Sequence, residues 1–330
     1  MICENCGLEN PEGYKFCPRC GAVTQKRVKV DMKKIRLPRE ALIKIIQTRA
    51  SSDEIVTPLW IYLMIVVYLA SIVASVAIGF SIAGDILRED PSSFSRELMF
   101  EDLKDELWLP SLLSVIFYVF ASSLAFLLIS RLNKHFERDK NMRRGLLTFV
   151  TSAASTPDLK KAVEIDLDMM SQTDDLINST EKRRTPIVWA LVVAAPLMVS
   201  ILQWAFIFNG ESYQEYQRTS ILFFLLQLVA YIPLFELSVY LGKSIYDHHN
   251  RWMEFTLQAA TATQKLGFKE GRSYWARPMP TRAYALYVFV TIISVGLFMF
   301  YWWYMLIKEP NDHLKTQWSF EDAFVESISD

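Results

Sequence analysis

The sequence predicts an all-α membrane protein of five transmembrane helices, two hairpins plus one, with a minimal metal-held β-hairpin module at its N-terminus. Two observations predict this. Five stretches reach the roughly 20 apolar residues that a helix needs to cross a hydrocarbon core about 30 Å thick, and all four cysteines fall within the first twenty residues as two matched pairs. The bulk figures agree. The 330 residues are 52% hydrophobic, 13% aromatic and only 22% charged, with a mean hydropathy of +0.17. So much apolar surface excludes a disordered chain. A formal net charge of −1 excludes nucleic-acid binding through bulk positive charge.

The five stretches are Pro58 to Gly79, Ser111 to Ser130, Ile187 to Phe208, Ser220 to Leu241 and Tyr284 to Ile307. The fourth carries the one acidic or basic side chain among them, Glu236. Pro58, Pro110 and Pro186 stand where first helical turns are expected, positions at which a missing N–H costs nothing. Thr57 and Thr185 precede two of them as N-caps. Trp60, Trp108, Trp189, Trp204, Trp302 and Trp303 lie near stretch ends, as an interfacial aromatic belt requires.

Lysine and arginine set the expected topology. Residues 24–57 carry nine, loop 84–108 three, loop 131–185 eleven, loop 209–219 one, loop 242–283 seven and tail 308–330 two. High and low alternate, so a cell-membrane protein with a cytoplasmic N-terminus, two cytoplasmic loops and an external C-terminus is expected. No cleavable signal peptide is visible, because the first apolar run begins at Pro58 behind a basic linker. The organisation is then a metal module over 1–23 and a basic linker with an amphipathic helix over 24–57. Transmembrane hairpins cover 58–130 and 186–241, and cytoplasmic helical loops 131–185 and 242–283. A last span covers 284–307, and an external tail 308–330.

Cys3, Cys6, Cys17 and Cys20 read C-x2-C-x10-C-x2-C. Each pair forms a tight turn aiming two thiolates at one point, and two such turns supply the tetrahedral sulfur set of structural zinc. Twenty residues cannot build an apolar core, so the metal must hold the fold. Four thiolates also suit iron, the less favoured ion, since closed all-thiolate sites are most often zinc. A site with no open position is structural rather than catalytic. The residues Cys17-Pro18-Arg19-Cys20-Gly21 resemble the knuckle of the small zinc-ribbon family, and segment 1–22 resembles its minimal version.

In the basic linker, Leu42, Ile45 and Ile46 form an apolar stripe after Pro38 with Lys44 and Arg49 beside it. That pattern fits a short helix on an anionic leaflet as well as a plain positive-inside anchor. In loop 131–185, Thr156-Pro157 gives a helix start, after which Leu159, Val163, Leu167, Met170 and Ile177 recur at helical spacing. A weak repeat is also visible. His135-x-x-Arg138 follows the second stretch and His248-x-x-Arg251 the fourth, 113 residues on, and Thr57-Pro58 matches Thr185-Pro186. Duplicated hairpins would give this pattern. These four His and Arg side chains are read chiefly as headgroup contacts, with a ligand role as the alternative.

Within the bilayer, Glu236 is costly unless it faces the bundle. It follows Pro233, which frees a backbone carbonyl. Together with Gln203 and Gln227 it is a candidate for a polar cavity, and the glutamines also suit interhelical hydrogen bonding. The last stretch runs from Gly296 through Tyr301-Trp302-Trp303-Tyr304 to Asn311-Asp312-His313. It resembles a family of uncharacterised prokaryotic membrane domains marked by a Gly, an aromatic cluster and a downstream Asn-x-His. The resemblance covers residues 284–315 and implies a membrane protein often joined to a zinc ribbon.

Gly242-Lys243-Ser244 mimics the end of a P-loop, but Leu237 occupies the leading glycine position. None of the common metalloprotease, hydrolase or dinucleotide motifs occurs. The expected function is therefore non-enzymatic. It is a membrane-tethered interaction or regulatory scaffold with a structural zinc ion, a bilayer environment, a cytoplasmic protein partner, no nucleic acid, and room for a homo-oligomer. The alternative is a small transporter or channel built around Glu236.

Overall fold

A computed structural model describes residues 8–9, 30–88, 106–209, 213–268 and 278–329. The four cysteines and most of the acidic 84–108 loop lie outside the described residues. The described chain is helical, and its helices build two stacked layers: an apolar bundle and a polar helical head.

The bundle begins with α3 (Leu59–Arg88), whose first turn is capped by the Thr57 hydroxyl accepting from Leu59 N at 3.3 Å. The next long helix is α4 (Trp108–Ala153), then the pair α6 (Pro186–Val193) and α7 (Ala195–Asn209), then α8 (Tyr213–Lys265). Helices α3, α4 and α8 are long and apolar enough to cross a membrane, and α6–α7, bent by 41°, makes a fourth span if read as one. The bend has a cause in the sequence. Pro196 has no N–H and crowds the carbonyl four residues earlier, and the break falls at Ala194. The outer faces of these helices are apolar and uncovered, with Phe80, Leu191, Ile221 and Ile232 each more than half exposed. Such faces suit lipid rather than water.

The fifth apolar stretch is not one continuous helix. It breaks into α9 (Tyr284–Ile293) and α10 (Leu297–Ser329), and the two fold back on one another. Tyr284 stacks on Trp302 at 6.2 Å, Tyr287 meets Phe298 edge-on at 5.2 Å, and Arg282 pairs with Glu309. The ten residues of α9 span about 15 Å at 1.5 Å per residue, half a hydrocarbon core. The turn runs through Val295 and Gly296, both at positive φ, +50° and +88°, and Tyr68 donates to the Val295 carbonyl at 2.6 Å. The expectation of a fifth span is thereby corrected to a re-entrant hairpin. An apolar run of this length reads the same whether it crosses once or goes halfway and returns, and Gly296 makes the return possible.

Because α10 returns, residues 308–329 lie at the same end of the molecule as the N-terminal helices, with Phe324 and Leu42 in one core. There they join the head. The 46 residues of α4 and the 53 of α8 reach about 70 and 80 Å, far beyond a bilayer, so both run on into this layer. Helix α1 (Met32–Gln47), capped by Asp31, and α5 (Pro157–Thr180), capped by Thr156, complete it. One core joins them through Leu42 of α1, Phe149 of α4, Met170 of α5, Trp252 of α8 and Phe324 of α10. The apolar stripe of α1 is thus buried against protein, with Leu42 fully covered, rather than laid on a leaflet. A four-residue helix, α2 (Arg49–Ser52), leads from α1 into the extended stretch before α3.

Candidate functional site

Where bundle meets head, three long helices each bring a histidine to one point. Helix α4 supplies His135, α8 supplies His248 and α10 supplies His313. The Nε2 atoms of His135 and His248 lie 3.1 Å apart, and those of His135 and His313 3.2 Å apart. All three residues are at least 98% buried. His249 stands behind them, its Nδ1 2.9 Å from that of His313. The chain has four histidines, and all four are here.

Each ring is held from behind. Asp53 Oδ1 lies 3.1 Å from His135 Nδ1, and Glu181 Oε1 lies 2.6 Å from His248 Nδ1. Asp53 is itself fixed, by Arg138 Nη2 at 2.7 Å and by Trp318 Nε1, which donates at 2.9 Å. Arg138 reaches on to Glu321 at 2.7 Å. Beside this group, Arg143 bonds Asp139 and donates to Asp174 at 2.7 Å, and Gln317 donates to Asp139 at 3.0 Å. Asn311 clamps the extended stretch before α3. Its amide donates to the Val56 carbonyl at 2.8 Å and its oxygen accepts from Arg131 at 2.7 Å.

Burial governs the electrostatics. It holds His135 below the ordinary imidazole value despite Asp53, and holds His248 and His313 well below it, with the neighbouring histidines adding to the effect. Burial alone would raise Asp53, but the hydrogen bond and charge of His135, with Arg138 behind, bring the carboxyl below its usual range. Burial pushes Glu181 and Glu321 up to about 7, because the guanidiniums of Arg143 and Arg138 offset it only in part. The cluster is therefore a buried group of imidazoles held toward their neutral forms, with acidic side chains behind them. Chemically it can bind a cation or share protons among the rings.

The site also carries the repeat seen in the sequence. Asp53 stands four residues before Thr57-Pro58, and Glu181 four residues before Thr185-Pro186. Each acid meets a histidine on the second long helix after it, Asp53 with His135 on α4 and Glu181 with His248 on α8. Two equivalent carboxylate–histidine pairs thus face each other, and α10 adds His313.

The sequence-predicted residues fall in different places. His135, Arg138 and His248 come together in the protein interior, not at headgroups, because α4 and α8 continue into a covered head. Arg251 lies outside, bonded to Thr180. Glu236 does not face the bundle. Its side chain is 57% exposed and pairs with Arg184 at 3.1 Å, because antiparallel α6 brings Arg184, just before Pro186, to its level. Gln203 lines a small cavity with Trp204 and Ser114, and Gln227 lies beside Tyr118 with its oxygen buried, so the three do not form one site. Sequence reasoning missed Asp53, Glu181, His249 and His313 as site residues. The signals were present in the acid four residues before Thr57-Pro58 and before Thr185-Pro186, and in the histidine of Asn311-Asp312-His313.

A family model for the zinc-ribbon domain matches residues 2–23. No curated protein and no solved structure matches the chain. Cys3, Cys6, Cys17 and Cys20 all fall within the matched residues, and a set of four thiolates in two C-x2-C pairs fits the zinc such a domain holds. The N-terminal segment is a zinc ribbon, joined to a bundle of long apolar helices.

Proposed function

We propose that this protein is a membrane-tethered interaction or regulatory scaffold whose head and zinc ribbon face the cytoplasm. The observation that carries the reading is the one-sided build. The described N-terminal helices, the extensions of α4 and α8, α5 and the C-terminal half of α10 share one core. Among the described residues no second head is built at the other end of the bundle. Basic residues support the orientation. Residues 24–57 and loops 131–185 and 242–283 hold nine, eleven and seven lysines and arginines, against three and one in loops 84–108 and 209–219. The tail fits the same side despite having only two. Its acids neutralise the basic segments, Asp322 with Arg49 at 2.7 Å and Glu321 with Arg138.

The ribbon, a closed site on a tiny module, acts through its surface, by holding a protein partner or the head itself. No catalytic step is assigned to the chain. The test is cross-linking in native membranes, comparing the full chain with its Cys17→Ser/Cys20→Ser variant. Loss of specific cross-linked species in the variant supports the scaffold. An identical pattern in both contradicts it.

Transport has less support. The cavity within the bundle, about 690 Å³, is lined by Tyr68, Phe117, Tyr231, Phe300 and Trp303 and carries no charged side chain. Glu236 lies away from it, paired with Arg184. Glu236→Gln is expected to leave ion or solute flux in proteoliposomes at the background of empty vesicles, as for the unmodified chain.

A further inference from the structure

We propose that His135, His248 and His313 hold a divalent transition-metal ion, zinc by preference, that ties α4, α8 and α10 together at the junction of bundle and head. This site is separate from the ribbon, so the chain carries two ions of different ligand chemistry.

Geometry comes first. A tetrahedral zinc ion bonded to imidazole nitrogen at 2.0–2.1 Å sets its ligand atoms about 3.3 Å apart. The observed separations are 3.1 Å and 3.2 Å. The ligand atoms of all three histidines lie within 4.8 Å of one another. No fourth His, Cys, Asp or Glu joins this set among the described residues. Three protein nitrogens and one position left for water is the pattern of an open zinc site.

Proton placement comes second. A carboxylate only accepts, so Asp53 and Glu181 draw the ring protons of His135 and His248 onto Nδ1 and leave both Nε2 lone pairs facing inward. Two lone pairs 3.1 Å apart repel unless something positive lies between them. Carboxylates that orient ligating imidazoles from behind are the usual outer partners of a metal-bound histidine. Here they occur twice, at equivalent places in the two hairpins. His249 lies behind His313, Nδ1 to Nδ1 at 2.9 Å, and orients that ring.

Charge comes third. Around the cluster, Asp53, Asp139, Asp174, Glu181 and Glu321 are buried or nearly so, and Arg131, Arg138 and Arg143 are buried with them. Arg49 reaches both exposed Asp322 at 2.7 Å and Glu321 at 3.8 Å. The buried acidic side chains outnumber the buried guanidiniums, which favours a cation among them. Imidazole ligation suits zinc, iron, nickel and copper. The absence of thiolate from this set separates it from the ribbon.

The same contacts can form without an ion if Glu181 is neutral and donates to His248 Nδ1. Then His248 and His313 both point an N–H at His135 Nε2. The experiment must separate these states without disturbing the histidines. The full-length Cys17→Ser/Cys20→Ser variant, which lacks the ribbon site, is purified in detergent from zinc-supplemented cells. Its metal content is measured per chain, and its zinc X-ray absorption fine structure is recorded. One zinc per chain with three imidazole nitrogens at about 2.0 Å is the expected result, against two ions in the unmodified chain. Cobalt replacing that zinc is expected to show ligand-field bands without thiolate charge transfer. A variant that holds less than about 0.1 equivalent of any transition metal, or holds zinc through oxygen ligands only, overturns the proposal and leaves the proton-sharing network. His313→Gln in the same background is expected to lose the remaining ion, while the unmodified-ribbon chain with His313→Gln keeps one. Loss of both ions, or of neither, contradicts two independent sites.

Discussion

The hydroxyls of Tyr118 and Tyr231 meet at 2.9 Å, and the two residues are separated by 113 positions, as are His135 and His248, whose Nε2 atoms meet at 3.1 Å. These two contacts, 17 residues apart along both helices, show α4 and α8 running parallel and in register from the bundle into the head. The histidine cluster sits on that seam, and His313 joins it from α10.

The repeat predicts unequal roles for its two arginines. Arg138 is buried between Asp53 and Glu321, so Arg138→Ala leaves two buried carboxylates without their partner. A loss of about 3–5 kcal/mol is expected, read as a sharply lower unfolding temperature in detergent. Arg251, at the equivalent position, bonds Thr180 near the surface. Arg251→Ala is expected to change stability by no more than about 0.5 kcal/mol. Equal effects would contradict the placement of Arg138.

Asp53 and Glu181 orient the two repeat histidines from behind. Asp53→Asn and Glu181→Gln are expected to weaken zinc binding at the histidine site about 10- to 100-fold each while leaving the ribbon's ion in place. Competition with a chromophoric chelator on the Cys17→Ser/Cys20→Ser background measures this. Unchanged affinity in both variants would show that the carboxylates do not tune the site.

The segment matched as a zinc ribbon, residues 2–23, is too short for an apolar core, so a bound metal is expected to supply its folding energy. Cys17→Ser/Cys20→Ser is expected to unfold residues 1–23 and to leave the bundle and head intact. Limited proteolysis should then cut ahead of α1 and stop there. Digestion extending through α3 and α4 would mean that the ribbon is not modular.

Gly296 holds φ at +88° in the hairpin turn. A side chain is strained there whatever the space around it, so Gly296→Ala is expected to cost about 1–3 kcal/mol. Gly79 has open space around it and lies mid-helix in α3, where Gly79→Ala is expected to stabilise by up to about 1 kcal/mol. Opposite shifts in thermal unfolding of the two variants check the turn.

Much of the helical layout was legible. Proline, threonine and apolar runs marked the starts of α3, α5 and α6, and the periodicity of Leu159, Val163 and Met170 marked the buried face of α5. Two things were not. Hydropathy cannot tell one crossing from two half-crossings, so the α9–α10 return, and with it the packing of the tail against α1, was hidden behind an ordinary apolar run. The histidine site was hidden because its parts lie far apart in sequence. Asp53 and His313 are 260 positions apart, and only the packing of α4, α8 and α10 brings their neighbourhoods together. Glu236 drew attention as a charge in an apolar run, yet the level of Arg184 decides its environment.

The returning hairpin carries the rest, since it alone brings His313 and the tail to the head. Single cysteines placed at Ser51 and at Ser319, in the full chain with its four natural cysteines replaced by serine, can be labelled in sealed vesicles with a membrane-impermeant maleimide. Both positions are expected to react from the same face and to be protected together from the other. Labelling of Ser51 and Ser319 positions from opposite faces would contradict the fold.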